Sequence, residues 1–354
     1  MSENKKRLLI VMGSMGRGGA ERVISNISNY FSDKDWNVSI VLLLDSKVDY
    51  KLHENVEIIN LSGKIRSRIL RLPNWVFGLR KVVKKVNPDV VLSFVARINI
   101  ITQIACKGLN KKIVISERND PYKDGRSKII DRLTFKLYPK ASAVVFQTER
   151  ARGYFEKIKL NNSLIISNPI AVNCYADEDK KMKIVNVGRL TQQKNQKMLI
   201  SSFSKVLKVY PELSLEIYGE GDLRKELQKQ INELKLENHV FLKGNVSNVH
   251  EKISDASIFV LSSDYEGLSN ALLEAMMMGL PCISTNCAGA DECIIDNENG
   301  VLVNVGNEEE LTNAMIALLS DKDKANKISI NAKKIKERVA MDIVMEQWYS
   351  VINS

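Results

Sequence analysis

The sequence predicts an α/β protein built from two doubly wound parallel-sheet domains, and three observations lead to that prediction. The chain has 354 residues, about twice the length of an average domain. Short apolar runs alternate with amphipathic stretches, a pattern typical of parallel strands joined by helices. The alternation breaks once, at the polar and acidic segment 171–181, which is typical of a linker. The predicted domains are therefore 1–170 and 182–354.

Thirteen apolar runs are the predicted strands, seven before the break and six after it. They are 8–12, 38–44, 56–59, 90–94, 113–116, 143–146, 164–166, 183–187, 214–218, 240–242, 258–261, 281–284 and 301–303. Helical patterns lie between most of them, such as Asn195–Val209. The last helix, about 340–354, is a candidate to pack back on the first domain. Ligands of doubly wound sheets bind beyond the carboxyl ends of the strands, so the expected active site is the cleft between the domains.

Composition argues against several classes of protein. Hydrophobic residues make up 44% of the chain and charged residues 27%, which are ordinary values for a soluble globular protein. The longest apolar runs are far too short to span a bilayer, which argues against an integral membrane protein and a secreted one. Five cysteines without C-x-x-C spacing indicate a reduced, cytosolic compartment. With only three histidines, a multi-histidine metal centre is not expected.

The charge of the chain is unevenly distributed. Residues 1–170 contain 31 basic and 15 acidic residues, a net +16, whereas residues 171–354 contain 21 and 27, a net −6. The densest basic segment, 64–85, has eight Lys and Arg, no acid, and Trp75 and Phe77 among them. Two interpretations stay open: a helix on an anionic membrane, or a solvated helix face packed on the core. Nucleic acid is not an expected partner, because no nucleic-acid motif accompanies the charge.

A glycine-rich turn follows the first predicted strand and precedes a helix. Gly16, Gly18 and Gly19 would let backbone N–H groups approach a phosphate or sugar, with the helix dipole behind them. The turn lacks the spacing of a dinucleotide fingerprint and the Lys-Ser/Thr end of a phosphate-binding P-loop. A plain tight turn would also favour glycine, so this signal alone is weak.

The second domain opens with the same strand-to-helix geometry. Its first strand runs into the segment Gly188–Asn195, which places Arg189 and Lys194 at the carboxyl end of the strand and beside a helix N-terminus. Two cations there can clamp a diphosphate, Arg through its planar fork and Lys as a point charge. The alternative is a pair of exposed surface cations, and their place at the expected cleft favours the diphosphate.

A further turn carries two carboxylates. Glu266 lies in a glycine-containing turn after the strand 258–261, and Glu274 lies about two helical turns further on. Both can face one cleft, where free N–H groups of 267–270 would surround an anion. Carboxylates in such places can accept hydrogen bonds from sugar hydroxyls. The alternative is a capped helix with two solvated acids.

The order Gly188-Arg189-Leu190, Lys194, then Glu266 and Glu274 with seven residues between them, resembles the retaining nucleotide-sugar glycosyltransferases of family 4. That family has the GT-B fold, two Rossmann-like domains facing across a cleft. The resemblance covers nearly the whole chain. It includes the segments Gly18–Glu21, Lys243–Val246, Asn286–Glu292 and Asn299–Val303.

The resemblance implies a role for each matching residue. Arg189 and Lys194 would bind the donor diphosphate and stabilise the leaving group, Glu266 would contact the transferred sugar, and Glu274 would hold the ribose. The other implied donor-binding residues are Gly267, Leu268 and Ser269 near the sugar and β-phosphate, Lys243 and Val246 beside the base, and Gly16, Gly18 and Gly19, which would close over the donor.

The chain departs from the family pattern at one place. Many relatives have a histidine after the strand that here is 113–116, whereas this chain has Glu117-Arg118-Asn119. That sequence resembles a subset that builds bacterial surface polysaccharides, often from UDP-N-acetylhexosamine donors. Glu117, Arg118, Asn119 and Glu21 are therefore the candidate contacts to acceptor or sugar.

The expected protein is a cytosolic glycosyltransferase bound peripherally to the inner face of the membrane. It would move a hexose or N-acetylhexosamine from a UDP-sugar to a polyprenyl-diphosphate-linked glycan, with no cofactor and no metal. The basic first domain, through segment 64–85, suits an anionic bilayer and acceptor. The alternatives are a nucleotide-sugar epimerase or soluble sugar synthase of the same fold, or a non-catalytic scaffold docked on the membrane.

Overall fold

The computed structural model describes residues 5–16, 18–63 and 68–354, which fold into two α/β units. Unit 1 is Met1–Pro169 with Met341–Ser354, and unit 2 is Ile170–Ala340. Each unit has a parallel sheet with helices connecting the strands, so the predicted doubly wound α/β class is confirmed. Arg17 of the glycine turn and residues 64–67 of the basic segment lie outside the described residues, as do the side chains of 68–71.

The sheet of unit 1 has, among the described residues, seven parallel strands in the order β3-β2-β1-β4-β5-β6-β7. The strands are β1 Arg7–Met12, β2 Asn37–Leu42, β3 Glu57–Asn60, β4 Val90–Phe94, β5 Lys112–Glu117, β6 Ala143–Phe146 and β7 Ser163–Ile165. The central strands are continuous apolar runs because helices cover both faces of the sheet. The helices are α1 Gly19–Asp33, α2 Arg68–Val86, α3 Ala96–Cys106, α4 Lys128–Leu137 and α5 Glu149–Gly153, and a 3-10 turn spans Tyr138–Lys140.

The sheet of unit 2 is also parallel, and its described strands have the order β10-β9-β8-β11-β12-β13. They are β8 Lys181–Val187, β9 Ser214–Tyr218, β10 Val240–Gly244, β11 Ala256–Leu261, β12 Cys282–Thr285 and β13 Val301–Val303. The helices are α6 Gln196–Val206, α7 Arg224–Glu233, α8 Val249–Ile253, α9 Asn270–Met278, α10 Glu308–Ser320, α11 Lys322–Ala332 and α12 Lys336–Val339, with 3-10 turns at Gln192–Lys194 and Lys333–Ile335. All thirteen predicted strands are present, with ends within two residues of the predicted ones.

The segment that joins β7 to β8 along the chain is hydrogen-bonded to unit 2. The backbone N–H of Ile170 donates to Val339 at 2.8 Å, and that of Ala176 donates to Met278 at 2.9 Å. Within the segment 171–181 that the sequence predicts as a linker, the backbone N–H groups of Ala176 and Asp177 therefore have partners in unit 2.

The last helix, α13 Met341–Asn353, belongs to unit 1. Trp348 is fully buried and stacks on Phe94 with 5.8 Å between ring centroids. Val344 and Met345 are buried in the same core as α1 and β1. The helix is amphipathic, and this apolar face explains why it returns to the first unit. Among the described helices, none is long and apolar enough to cross a membrane.

Candidate active site

The loops that follow β8 and β9 are joined by their backbones. The N–H of Gly188 donates to Tyr218 at 2.9 Å, and the N–H of Leu190 donates to Glu220 at 3.0 Å. Gly219 has a φ of +138°, and a Cβ there would overlap the carbonyl of Gly188, so only glycine fits. The turn after β8 is therefore held rigidly at the carboxyl edge of the sheet.

Arg189 lies in this rigid turn with its side chain in solvent. The residue is exposed, and within the part of the chain that the structure describes it makes no ion pair. A guanidinium without a carboxylate partner keeps its full set of donors for an anion. Arg189 therefore lies just beyond the carboxyl end of β8, and its diphosphate-binding role stays a prediction.

Lys194 and Glu266 form an ion pair, which brings two predicted catalytic residues together. Nζ of Lys194 contacts Oε1 of Glu266, and the two side chains are only 14% and 10% exposed. Ser263 donates its hydroxyl to the same carboxylate oxygen at 2.6 Å. The carboxylate is thus fixed by a cation and a hydroxyl, while the ammonium retains further donors.

The turn that carries Lys194 is joined to the loop after β11. The N–H of Asp264 donates to Gln193 at 2.8 Å, and Asn195 donates its side-chain amide to Asp264 at 2.7 Å. Ser262 donates its hydroxyl to the carbonyl of Lys194 at 2.9 Å. Because β8 and β11 are neighbours in the sheet, residues 193–195 and 262–264, which follow these strands, meet here. This adjacency positions the Lys194–Glu266 pair.

Glu274 lies on α9 and is nearly buried, with 6% of its surface exposed. Its Oε2 is 3.3 Å from Nε2 of His250 on α8. The other ring nitrogen of His250 is 2.6 Å from the side-chain oxygen of Asn173. The carboxylate that was predicted to hold the ribose therefore lies at ion-pair distance from a histidine ring that Asn173 contacts on its other side. Ser269 begins the same helix, its hydroxyl accepting from the N–H of Leu272.

The sequence analysis did not identify His250 or Asn173. Neither residue belongs to a recognised motif, and α8 has only five residues. The only signal in the sequence is that His250 is one of three histidines. Its contact with Glu274 depends on how α8 packs beside α9, which local sequence patterns do not show.

Lys243 and Val246, the predicted neighbours of the base, line a cavity of about 510 Å³ in unit 2. Nζ of Lys243 is 3.3 Å from Oε1 of Glu216, which also lines the cavity. Tyr218 donates its hydroxyl to the same carboxylate, and burial beside it raises the pKa of Tyr218. Gly267 and Leu268 precede α9, and a Cβ at Gly289 would overlap the carbonyl of Gly267.

In unit 1 the glycine turn follows β1. The N–H of Gly18 lies 3.3 Å from the hydroxyl of Tyr50, which donates to the carbonyl of Gly18 at 2.8 Å. Gly19 begins α1, and the Glu21 carboxylate folds back against Gly18. Gly16 is half-buried, and a Cβ at this position would lie 3.9 Å from Oδ2 of Asp49. Tyr50 thus holds the turn in an extended conformation before the helix.

Glu117 ends β5 and is completely buried. Its carboxylate accepts from the hydroxyl of Tyr138 at 2.8 Å and lies 3.3 Å from Nη2 of Arg126, which also pairs with Asp124 at 2.6 Å. Burial raises the pKa of Glu117, and Arg126 and Tyr138 oppose that rise. The structure therefore places this residue in an internal polar network of unit 1, not at its surface.

Arg118 is also internal, with 5% of its surface exposed. Its guanidinium lies between the rings of Phe94 and Trp348, 5.0 and 5.3 Å from their centroids. One nitrogen donates to Asn168 at 3.1 Å, and burial lowers the pKa of Arg118 to about 9. Of the three consecutive candidates, only Asn119 is exposed.

The loop after β4 contains a strained residue that the sequence did not indicate. Val95 has a φ of +71°, which β-branched residues rarely adopt. Its N–H donates to the carbonyl of Ser116 at 3.0 Å, so the conformation is fixed by the neighbouring strand. Strain of this kind concentrates at functional sites, and it lies here at the carboxyl edge of the sheet.

The described residues contain no group of three or more His, Cys, Asp or Glu side chains that could hold a metal ion. The five cysteines are free thiols. The groups that the described site presents are one exposed guanidinium, one ammonium–carboxylate pair and one carboxylate beside a histidine.

Comparison with known families matches both halves of the chain. The family model "Glycosyltransferase Family 4" matches residues 17–173, and "Glycosyl transferases group 1" matches residues 174–335. The two matches meet at residue 173 and together span the predicted motifs of both units.

Two curated relatives come from Campylobacter jejuni. One is "N-acetylgalactosamine-N,N'-diacetylbacillosaminyl-diphospho-undecaprenol 4-alpha-N-acetylgalactosaminyltransferase", 31% identical over 94% of this chain and 95% of that protein. The other is "GalNAc-alpha-(1->4)-GalNAc-alpha-(1->3)-diNAcBac-PP-undecaprenol alpha-1,4-N-acetyl-D-galactosaminyltransferase", 28% identical over 98% of both chains.

A solved structure of Anabaena Alr3699/HepE in complex with UDP and glucose has the same fold. It superposes with a TM-score of 0.85 at 19% identity, covering 98% of this chain and 99% of the other. At this identity the likeness extends to the arrangement of helices and strands.

Proposed function

This chain belongs to the family 4 glycosyltransferases with the GT-B fold, and we propose that it transfers an N-acetylhexosamine or hexose from a UDP-sugar to a polyprenyl-diphosphate-linked glycan. The observation that carries the proposal is the edge of the unit 2 sheet, where Arg189 is exposed and Lys194 pairs with Glu266. Transfer with retention of anomeric configuration is part of the proposal.

The proposed reaction breaks the bond between the sugar and the diphosphate. Negative charge grows on the diphosphate oxygen as the bond breaks, so cations fixed in advance lower the barrier. Arg189 supplies a planar fork on a rigid turn, and Lys194 supplies an ammonium whose position Glu266 fixes. The backbone that carries Arg189 and the ammonium of Lys194 are thus both in place before the charge develops.

Glu266 and Glu274 have different ion-pair and hydrogen-bond partners, which suits different roles in binding the donor. Glu266 is bonded to a cation and a hydroxyl in the turn before α9, where it would contact the transferred sugar. Glu274 is held by His250 on the body of the helix, where it would accept hydrogen bonds from the ribose hydroxyls. The first glutamate therefore acts near the reacting carbon and the second at a remote part of the donor.

The proposed acceptor follows from the relatives and from charge. Both Campylobacter jejuni relatives are named for transfer to undecaprenol-diphosphate-linked sugars. The +16 net charge of residues 1–170 suits an acceptor that carries a diphosphate and lies in an anionic bilayer. We place the protein at the cytoplasmic face of the inner membrane, with the basic segment 64–85 toward the lipid.

Metal independence is also part of the proposal, since Arg189 and Lys194 can neutralise the diphosphate. Removal of divalent ions with EDTA should leave most of the activity. Complete loss of activity that Mg²⁺ or Mn²⁺ restores would show that the diphosphate site needs a metal.

A donor panel tests the proposed function. The purified protein is incubated with UDP- and GDP-sugars, with and without a polyprenyl-diphosphate-linked acceptor, and nucleoside diphosphate release is measured. We expect release from a UDP-sugar that depends on the acceptor and is lost in Arg189→Ala. Release without any acceptor would favour an epimerase-type or synthase-type reaction, and no release from any donor would favour a scaffold.

A further inference from the structure

Unit 1 contains a cavity at the edge of its sheet opposite the glycine turn. It lies between the C-terminal ends of α3 and α4 and the start of β5, and its volume is about 500 Å³. Sites for small organic ligands typically have about 300–1,000 Å³, so the cavity is large enough for one. The glycine turn lies beyond the opposite, carboxyl ends of the strands, so this cavity is separate from the proposed donor and acceptor sites.

The wall of the cavity is apolar. Its apolar lining residues are Ile104, Cys106, Ile113, Leu133 and Leu137. Burial raises the pKa of the Cys106 thiol to about 11, so the thiol is neutral at physiological pH. The wall therefore offers the surface that a hydrocarbon chain requires.

Four lysines give the lining of the cavity a positive charge. They are Lys107, Lys111, Lys136 and Lys140, and in the part of the chain that the structure describes no Asp or Glu lines the cavity with them. Nζ of Lys111 donates to Asn87 at 2.7 Å, whereas Lys107, Lys136 and Lys140 are exposed. Lysines near helix C-termini also suit the helix dipole, but that does not explain the apolar volume.

The neighbouring surface has the same mixed character. Helix α3 packs against both α2 and α4. Large apolar side chains are exposed on these helices, with Phe77 65%, Ile104 38% and Ile129 68% exposed. Exposed lysines lie beside them at Lys81 and Lys84. Basic residues interleaved with exposed apolar ones are typical of a surface that contacts an anionic bilayer.

We propose that this cavity binds one anionic phospholipid of the membrane. The exposed lysines would hold the phosphate, and the first methylene groups would lie on the apolar wall. This inference rests on the membrane-linked acceptor of the proposed function, and it adds a lipid site that the sugar-transfer reaction itself does not use.

The test uses the full chain and a phosphatidylglycerol with six-carbon acyl chains, kept below its critical micelle concentration. Calorimetry compares it with glycerol phosphate and inorganic phosphate. One variant, K136E/K140E, removes charge, and a second, Ile104→Trp, fills the cavity mouth without changing charge. The matched control is K157E/K159E, which reverses two exposed lysines of unit 1 that do not line the cavity. Melting curves confirm that each variant is folded.

We expect one lipid bound per chain, binding at least about thirtyfold weaker in K136E/K140E, and binding lost in Ile104→Trp. The K157E/K159E control should bind like wild type. No lipid binding, equal binding of inorganic phosphate and lipid, or equal weakening in the control would each overturn the inference. A protein that binds lipid but transfers no sugar contradicts only the proposed function, and the reverse result contradicts only this inference.

Discussion

Lys194 and Glu266 act as a unit, because each is the main partner that the other has in the site. Both are largely buried, so a change in one alters the charge that the other experiences. Sequence spacing predicts that these residues and Arg189 lie at one edge of the sheet, since parallel strands bring their carboxyl ends to the same edge. The pairing itself required the adjacency of β8 and β11, which spacing along the chain does not contain.

The two glutamates should differ in kinetics. Glu274→Gln should mainly raise the donor KM, because the ribose interaction is similar in ground and transition states. Glu266→Gln should lower kcat more than it raises KM, because charge develops on the sugar that it contacts. Loss of one charged hydrogen bond costs roughly 1.5–3 kcal/mol, or about one to two orders of magnitude.

Steady-state kinetics on these two variants and on Arg189→Ala check the assignment. Arg189→Ala should be the most impaired, since it removes charge where the leaving group forms. If Glu266→Gln keeps the wild-type kcat while Glu274→Gln loses it, the two roles are reversed. If neither substitution changes the kinetics, Glu266 and Glu274 do not have the roles that the family resemblance implies.

His250 should act through Glu274 as a positioning residue. His250→Ala should raise the donor KM and the Kd for UDP by about tenfold, with kcat little changed, because Glu274 loses the ring that lies 3.3 Å from its Oε2. His250→Gln should restore part of the affinity, since an amide can donate to the carboxylate. His239→Ala is the control, because the ring of His239 contacts the carbonyl of Leu213, just before β9, and not Glu274. A kcat effect without a KM effect would contradict this role.

Arg126→Ala should destabilise unit 1 by about 3–5 kcal/mol, because Glu117 loses the cation that partly offsets its burial. The pKa of Glu117 is already raised by burial, and the variant should raise it further. The folded state then binds more protons than the unfolded state above pH about 4.3, the ordinary Glu pKa. Stability of the variant should therefore fall as pH rises above about 4.3, until Glu117 ionises in the folded state, and a melting temperature independent of pH would contradict the network.

Glu117 and Arg118 show why some site candidates could not be located from sequence. Both follow a strand at the carboxyl edge, which is where binding residues are expected. The structure buries both, because Tyr138 and Arg126 come from a later segment and Trp348 comes from the end of the chain. A polar side chain at the end of a strand can be assigned to a functional surface only when it is known whether distant segments of the chain cover it.

Among the elements, the strands could be predicted from the sequence, whereas the position of α13 could not. Apolar runs predicted all thirteen strands because parallel sheets bury both faces. The last helix was a candidate to pack on the first unit, but the pattern of apolar runs does not determine where a helix packs. That return is determined by Trp348 fitting against Phe94 and the guanidinium of Arg118.

Trp348→Ala should therefore destabilise unit 1 by about 3–5 kcal/mol through the cavity that it leaves. The matched control on the same helix is Ile343→Ala, where the side chain is 36% exposed and the expected loss is under about 1 kcal/mol. Hydrogen exchange measured by mass spectrometry should show lost protection in β1 and β4 and unchanged protection in unit 2. Equal effects of the two substitutions would argue against a buried role for α13.

At the scale of the whole molecule, the composition and charge of the chain indicate which class of partner to expect, but not which molecule that partner is. The +16 and −6 halves indicate an anionic partner for the first half, and the family supplies the nucleotide-sugar chemistry of the second. Which sugar is transferred depends on one or two hydrogen bonds to epimeric hydroxyls, which neither spacing nor fold contains.

The most direct test of the central claim is the mass of the product. The protein is incubated with a UDP-N-acetylhexosamine and a short polyprenyl-diphosphate-linked glycan, and the lipid-linked product is analysed by mass spectrometry. We expect the glycan to gain one sugar residue with wild type, and Arg189→Ala to form the same product at least about a hundredfold more slowly. An unchanged glycan with every UDP- and GDP-sugar tested, or equal rates for wild type and Arg189→Ala, would contradict it.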